Sequence, residues 1–249
     1  MALEQLTLEK GLNKVEYAIQ LLRDNEPLGG YYLADSGGKD SCVVRDILIK
    51  SGCKFDAHYC VSPIDPPQIR SFLKEHHPDT QWDFHARGFW KMVVKKGLPM
   101  RQSRWCCEVI KEAGGIGRFT VVGNRRAESS RRSKQQDISL SYKKDLTYVR
   151  PIAEFTEHDV WQYIQINRVP YCSLYDEGFK RLGCILCPFS RDIKREEEYF
   201  PKIVKLWKLA CKHIIEQQQA RGGLTKRGKI PKNHFETGEE LYQWWVRRK

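Results

Sequence analysis

The sequence has 249 residues, of which 41% are hydrophobic and 30% are charged, and its mean hydropathy is −0.60. This composition excludes a disordered or fibrous chain, and no stretch approaches the ~20 consecutive apolar residues of a membrane span. The first residues lack the basic-then-apolar pattern of a signal peptide. We therefore expect a cytoplasmic protein without a membrane partner.

The formal net charge of +12 is unevenly distributed along the chain. Residues 87–150 carry 16 basic and 5 acidic side chains, and residues 191–249 carry 15 and 8, whereas the other segments are net acidic. Two basic segments favour a nucleic-acid partner, because lysine and arginine attract phosphates and release their counterions. A solvated basic surface that binds smaller phosphate ligands is the alternative.

Helical and strand patterns alternate along the chain. Apolar residues at helical spacing predict a first helix over about residues 7–24. Four short apolar runs bounded by turn residues predict strands at 31–34, 55–61, 81–85 and 119–123. Further helices are predicted at 42–49, 68–75, 157–167 and 195–219, with a basic glycine-containing loop at 222–232. This alternation predicts an α/β domain over residues 1–190, a parallel sheet with helices on both faces, and a basic helical C-terminal extension over 191–249.

A glycine-containing hexapeptide lies between the first predicted strand and the next helix. Two glycines let the backbone turn tightly beside an anion, and the free N–H groups of a helix N-terminus favour negative charge. A lysine neutralises phosphate and two serines donate hydrogen bonds, whereas an aspartate would repel a bare phosphate and so indicates a bridging Mg²⁺. The spacing fits neither the Walker A loop nor the dinucleotide-binding pattern. The six residues are Ser36, Gly37, Gly38, Lys39, Asp40 and Ser41.

An arginine-rich turn follows the fourth predicted strand, where ligands of open α/β sheets bind. Arg125 can contact phosphate in a bidentate manner. Glu128 can orient an arginine or reach a ribose hydroxyl, and Ser129 extends the same surface. An exposed basic loop is the alternative. His76 and His77 are expected to be solvated.

Four of the nine cysteines are clustered in sequence: Cys106, Cys107, Cys184 and Cys187. In a reducing compartment such clusters bind metal or do chemistry rather than form disulfides. Four thiolates suit Zn²⁺ or an iron–sulfur cluster, and an adjacent pair is awkward for a single tetrahedral ion. The other five are expected to be buried packing residues, and they are Cys42, Cys53, Cys60, Cys172 and Cys211.

The hexapeptide resembles the PP-loop of the ATP pyrophosphatases, which belong to the adenine nucleotide α-hydrolase-like (HUP-like) superfamily. Over about residues 28–190 the motifs resemble those of the phosphoadenosine phosphosulfate (PAPS) reductase family: the loop, Arg104-Trp105-Cys106-Cys107, Gly123-Asn124-Arg125-Arg126-Ala127-Glu128-Ser129 and Gly183-Cys184-Ile185-Leu186-Cys187-Pro188.

This resemblance implies that ATP is split between its α and β phosphates and that the loop holds the pyrophosphate. It implies a nucleotide site lined by Gly123, Arg125, Glu128 and Ser129. It also implies that the four clustered cysteines hold a [4Fe–4S] cluster.

Sulfonucleotide reductases attack sulfur with the cysteine of a Glu-Cys-Gly element, and the last cysteine of this sequence, Cys211, lies in a helical pattern without one. We therefore expect an enzyme, an ATP pyrophosphatase that adenylylates an acceptor for sulfur incorporation, as in the DndC- and SspD-like DNA-phosphorothioation proteins or a tRNA thiolation enzyme. Lys39 and Arg125 would stabilise charge and Asp40 would place Mg²⁺. DNA or tRNA is the expected partner, with a sulfur donor such as a cysteine desulfurase. A sulfonucleotide reductase and a non-catalytic nucleic-acid-binding subunit with a structural cluster are the alternatives.

Overall fold

The structure is a computed structural model that describes residues 13–85, 88–142, 145–225, 228–230 and 233–247. Within these ranges the chain forms two compact units. The first takes in the chain up to Val61, Pro67–Phe84 and Glu112–Leu182, and the second takes in Ser62–Pro66, His85–Lys111 and the chain from Gly183. The second unit thus joins residues 88–111 to the C-terminal helices, and the division predicted after residue 190 stays a prediction.

The secondary structure follows in chain order. The helices are α1 Lys14–Asp24, α2 Lys39–Ser51, α3 Pro67–His76, α4 Phe89–Lys96, α5 Trp105–Val109, α6 Glu157–Asn167, α7 Ile193–Tyr199, α8 Pro201–Gln219 and α9 Gly238–Arg247. The strands are β1 Tyr31–Ala34, β2 Phe55–Cys60, β3 Gln81–Asp83, β4 Phe119–Val121, β5 Ile138–Ser141 and β6 Leu146–Val149.

In the first unit the described strands form one six-stranded sheet in the order β3-β2-β1-β4-β6-β5. All neighbours are parallel except β5, which pairs with β6 in antiparallel register. Leu33 in the central strand β1 is fully buried and lies opposite Ala57 of β2 and Val121 of β4. The predicted parallel sheet is thus confirmed over five strands, with an antiparallel edge strand that the sequence analysis did not predict.

Local capping explains where the helices of this unit begin and end. The Asn13 side chain accepts hydrogen bonds from the first turn of α1 while Glu16 bonds back to the Asn13 backbone, and Thr156 with Asp159 does the same for α6. Helix α2 ends at Gly52, whose φ of 75° is left-handed.

Aromatic side chains form the core of the second unit. Trp207 of α8 is buried and lies 4.6 Å from Trp245 of α9 and 5.0 Å from Trp90 of α4, measured between ring centroids. The indole nitrogen of Trp245 donates to the Pro99 carbonyl oxygen at 2.8 Å. These contacts bring α4, α8 and α9 into one core.

The predicted elements agree with the observed ones to within a few residues, with some differences. The helical pattern predicted over 195–219 forms two helices, because the chain breaks at Phe200 (φ −119°, ψ 55°). Pro201 lacks an N–H and disfavours helical backbone in the residue before it. Residues 7–12 of the first predicted helix, and residues 226, 227, 231 and 232 of the predicted basic loop, lie outside the described residues. In the part of the chain that the structure covers, no helix combines the length and apolar character that a membrane crossing needs.

Candidate functional site

The first candidate site lies at the point where the strand order reverses. From β1 the chain proceeds to β2 and β3 on one side of the sheet, and then to β4 and β6 on the other. Beyond the carboxyl ends of two such neighbouring strands an open α/β sheet has a crevice in which ligands bind. The loops that leave β1 and β4 there carry the hexapeptide and the arginine-rich turn.

The hexapeptide forms a tight turn into α2. Gly37 has a left-handed φ of 67°, and a β-carbon there would lie 2.9 Å from a methyl carbon of Ile69, so only glycine fits. The Ser41 hydroxyl donates to the Gly38 carbonyl oxygen at 2.8 Å and lies 3.2 Å from the Ser36 hydroxyl. The loop therefore presents its two serine hydroxyls side by side at the N-terminus of a 13-residue helix, which favours anions.

Asp35, the residue before the hexapeptide, stabilises the loop through hydrogen bonds. Its buried carboxylate accepts hydrogen bonds from the Gly37 N–H at 3.1 Å, His77 Nδ1 at 2.7 Å and the Thr80 hydroxyl at 3.2 Å. Burial alone would raise the pKa of Asp35, but the hydrogen bonds from His77 and the Gly37 N–H and the charges of His77 and Arg45 hold the pKa below its usual value. The prediction that His77 is solvated is wrong, because its ring is buried against Asp35.

Two buried cations and two carboxylates meet beside the loop. Arg125 donates from Nε to Asp40 Oδ1 at 2.6 Å and from a terminal nitrogen to Glu157 Oε2 at 2.7 Å. Lys39 Nζ lies 3.1 Å from Asp40 Oδ2 and 3.3 Å from Glu157 Oε1. The structure thus brings together the three predicted catalytic residues and adds Glu157, the first residue of α6.

The remaining predicted nucleotide-site residues lie around this network. A β-carbon on Gly123 would lie 3.0 Å from the carbonyl carbon of Asp40, so glycine permits the close approach of the β4 turn to α2. Glu128 accepts the Arg125 N–H at 3.1 Å and forms an ion pair with Arg132, as expected of a residue that orients an arginine. Ser129 is exposed and its hydroxyl accepts the Arg132 N–H at 3.3 Å.

Tyr175 contacts the hexapeptide at Lys39. Its hydroxyl accepts the Lys39 N–H at 3.0 Å, and Lys39 Nζ lies 5.5 Å from the centre of its ring. Burial raises the pKa of Tyr175, so the hydroxyl is neutral and remains a hydrogen-bonding group at physiological pH.

The second candidate site lies within the second unit and brings together the four clustered cysteines. They line one pocket whose other walls are mainly apolar and include Ile64, Ile110 and Leu186. The hydrogen bond with Cys107, burial and the nearby thiols of Cys184 and Cys187 raise the pKa of Cys106. Cysteine sulfurs that line one mainly apolar pocket are the ligand type of iron–sulfur clusters and of thiolate-bound metal ions.

Three polar residues, Ser62, Asp65 and Lys111, lie near Cys184 of this pocket. The Ser62 hydroxyl lies 3.8 Å from Cys184 Sγ, and Lys111 pairs with the buried Asp65 at 2.5 Å. Burial and the Asp65 carboxylate raise the pKa of the Cys184 thiol, while Lys111 acts in the opposite direction. Because a bound metal centre supplies positive charge, it would favour the thiolate forms that these surroundings otherwise disfavour.

The Cys184–Cys187 turn is fixed by a carboxylate. Leu186 has a left-handed φ of 58° although its side chain is buried. Its N–H donates to Glu196 Oε2 at 2.6 Å, and the Ser190 hydroxyl donates to Glu196 Oε1, also at 2.6 Å. Glu196, on α7, therefore holds an unfavourable backbone conformation in place between two of the cysteines.

Of the five cysteines predicted to be packing residues, four are buried and Cys60 is partly exposed. Four residues at these sites were not predicted from the sequence: Asp35, Glu157, Tyr175 and Glu196. Thr156, a residue type that often precedes a helix, is a local signal for the helix start at Glu157.

The sheet, its reversal point and the glycine-containing loop that leads into α2 define an open α/β domain. The sequence profile of the phosphoadenosine phosphosulfate reductase domain matches residues 31–190, and the chain belongs to that family. An uncharacterized protein of Methanocaldococcus jannaschii is 28% identical over 215 residues, 79% of this chain and 44% of that protein. The adenosine 5′-phosphosulfate reductase of Allochromatium vinosum is 32% identical over 120 residues, 45% of this chain and 44% of that protein. These matches span less than half the length of either relative.

Solved structures of the same fold include the PAPS reductase of Candida auris in a phosphate complex, with a TM-score of 0.50, 18% identity, and coverage of 67% of this chain and 87% of that one. The FMN adenylyltransferase of Candida glabrata with FAD and inorganic pyrophosphate has a TM-score of 0.50 and 13% identity, and covers 69% of this chain and 64% of that one. The expected adenine nucleotide α-hydrolase-like fold is thereby confirmed.

Proposed function

We propose that this protein is a PP-loop ATP pyrophosphatase that adenylylates an acceptor for sulfur incorporation and releases pyrophosphate. An acceptor oxygen attacks the α-phosphorus of ATP, the bond from that phosphorus to the α–β bridging oxygen breaks, and pyrophosphate leaves with its electron pair. The adenylylated oxygen can then be displaced by sulfur, with AMP as the leaving group.

The observation that carries this proposal is the position of Asp40. Its carboxylate stands at the N-terminus of α2, within an anion-attracting loop, and is held by the buried Lys39 and Arg125. A carboxylate does not help a site to bind a bare anion, because it repels the anion. In a site for a magnesium polyphosphate, a carboxylate oxygen beside the basic side chains can be a ligand of the Mg²⁺. Asp40 fits Mg²⁺ by its donor chemistry, and Mg²⁺ bound there would neutralise charge on the departing pyrophosphate.

The other residues of the site position ATP and stabilise charge. Backbone N–H groups of the loop and the hydroxyls of Ser36 and Ser41 can bind phosphate oxygens. Lys39 and Arg125 supply fixed positive charge in a buried setting, where it counts for more than in water. Because nucleotidyl transfer needs alignment and charge neutralisation more than covalent help from the protein, this set suffices for the reaction.

The four cysteines are proposed to hold a [4Fe–4S] cluster. Bound there, such a cluster would supply a sulfur-binding or redox centre. The adjacent Cys106 and Cys107 on α5 and the Glu196-held turn of Cys184 and Cys187 would fix its orientation. Anaerobically purified protein is expected to be brown, with broad absorbance near ~400 nm from thiolate-to-iron charge transfer.

The Cys184→Ser variant should lose this absorbance and its iron, and the Cys53→Ser variant, which changes a cysteine outside the pocket, should keep both. A colourless protein with one zinc per chain would contradict the cluster assignment.

The proposed acceptor is nucleic acid, DNA or tRNA. This proposal rests on the excess positive charge of residues 87–150 and 191–249, which favours a polyanionic partner. A sulfur-donor protein such as a cysteine desulfurase and a cytoplasmic location follow from the same proposal.

The decisive experiment measures pyrophosphate release from ATP in the presence of Mg²⁺ and candidate acceptors. Asp40→Asn removes the carboxylate charge while keeping its shape and should abolish release. The matched control is Asp46→Asn on the same helix, where the amide can still accept the Tyr163 hydroxyl (2.6 Å in the native chain). Circular dichroism verifies that both variants are folded. Full turnover by Asp40→Asn would refute the assignment of Asp40.

A sulfonucleotide reductase is the second candidate, and the relatives named adenosine 5′-phosphosulfate reductases favour it. That chemistry needs a thiolate nucleophile. Cys211 is buried in α8, and burial raises its pKa to about 12, so it does not supply one. Sulfite release from adenosine 5′-phosphosulfate with a thiol reductant, without pyrophosphate release from ATP, would establish this second function instead.

A further inference from the structure

Glu157 balances the charge of the candidate nucleotide site. The side chains of Lys39 and Arg125 are each 4% exposed, and each of them contacts both Asp40 and Glu157. Two cations thus face two carboxylates. An entering phosphate group must compete with carboxylates that the protein itself already supplies.

The four members of this network differ in how firmly they are held. The Glu157 side chain is 55% exposed, against 21% for Asp40. Helix α6 does not need the Glu157 carboxylate for its start, because Thr156 and Asp159 cap it. Glu157 is therefore the member that can move into solvent while the two cations remain buried.

We infer that Glu157 is a specificity-determining residue: it occupies the anion position on Lys39 and Arg125 and makes polyphosphate binding depend on a divalent cation. This inference rests on the proposed function, in that the loop binds a polyphosphate. A polyphosphate that takes over the two cations leaves the carboxylates of Asp40 and Glu157 without their partners. A divalent cation bound together with the polyphosphate restores the balance, and a bare phosphate cannot.

The test compares pyrophosphate binding to the full chain by calorimetry, once with excess EDTA and once with Mg²⁺. In Glu157→Gln the side chain keeps its shape and loses its charge. We expect this variant to bind metal-free pyrophosphate up to about fivefold more tightly than the native chain, the size of effect expected when one partly exposed charge is removed. Its affinity should also depend less on Mg²⁺.

The matched control is Glu154→Gln. Glu154 lies three residues away, its side chain is 50% exposed, and it also pairs with an arginine, Arg126. This variant should bind pyrophosphate as the native chain does, which separates an effect at the site from the general loss of a surface carboxylate.

The outcomes distinguish a failure of the inference about Glu157 from a failure of the proposed ATP pyrophosphatase function. Unchanged or weaker metal-free binding by Glu157→Gln, with intact binding in Mg²⁺, overturns the inference about Glu157 alone. Loss of Mg²⁺-dependent binding in the same variant also overturns it, because Glu157 would then act as a metal ligand. If the native chain binds no pyrophosphate even with Mg²⁺, the proposed function itself fails.

Discussion

Asp35 should contribute more to stability than any exposed carboxylate of the first unit, and Asp35→Asn measures that contribution. In the native chain its carboxylate accepts from His77, Thr80 and the Gly37 backbone, and Arg45 lies 3.6 Å away. An asparagine keeps one oxygen acceptor but directs an amide N–H₂ at groups that are themselves donors. The variant therefore leaves buried donors without acceptors and Arg45 without one of its two carboxylates.

The size of this effect follows from burial. The Asp35 side chain is fully buried, and breaking a buried, hydrogen-bonded charge set costs about 3 kcal/mol of unfolding free energy. Asp79→Asn is the matched control, because Asp79 pairs with the same Arg45 but its side chain is 62% exposed. A surface pair of this kind contributes under about 1 kcal/mol.

Urea unfolding followed by circular dichroism at neutral pH measures both values. The pKa of Asp35 is lowered in the folded chain, so its stabilisation is present above the ordinary aspartate pKa of about 3.9 and is lost as the pH falls through the lowered value. The difference between native chain and variant should therefore shrink in strong acid. Equal losses in Asp35→Asn and Asp79→Asn would refute the reasoning.

Three further predictions concern the two candidate sites and the basic surface. Glu196→Ala should make the proposed iron–sulfur cluster labile, because the Leu186 N–H loses its acceptor. Iron content after exposure to a chelator measures this. Retention equal to that of Glu198→Ala, an exposed position on the same helix, would contradict it. Gly123→Ala should weaken nucleotide binding and lower the free energy of unfolding by ~1–3 kcal/mol, because the new methyl group would meet the Asp40 backbone. Calorimetry measures the binding and urea unfolding measures the stability. An unchanged affinity would contradict the close approach of the β4 turn to α2. Charge reversal at the exposed Arg131 and Lys134 should weaken duplex or tRNA binding equally for all sequences. It should also reduce the slope of log K against log salt by about 0.9 for each phosphate of duplex DNA that the variant no longer neutralises. If the native chain binds neither nucleic acid at low salt, the nucleic-acid acceptor is excluded.

Local sequence determined the parts of both sites that depend on neighbouring residues. The hexapeptide was recognisable because a glycine turn, a lysine and a helix start must follow one another directly if backbone N–H groups are to face a phosphate. Strands β1 to β4 were predicted because apolar runs of four to seven residues bounded by turn residues are typical of strands. The four cysteines were identifiable as a set because soft sulfur donors rarely occur in pairs in a reducing compartment without a ligand.

Tertiary structure alone decided which distant residues complete those motifs. His77 was predicted to be solvated, yet packing of α3 brings it to Asp35, 42 residues earlier. Glu157 and Tyr175 reach Lys39 from segments more than a hundred residues away. Glu196 belongs to an ordinary charged run until the fold places it at the Leu186 N–H. A charged side chain far along the sequence carries no record of its partner, because an ion pair or a hydrogen bond depends on distance in space, and the sheet order and helix packing set that distance.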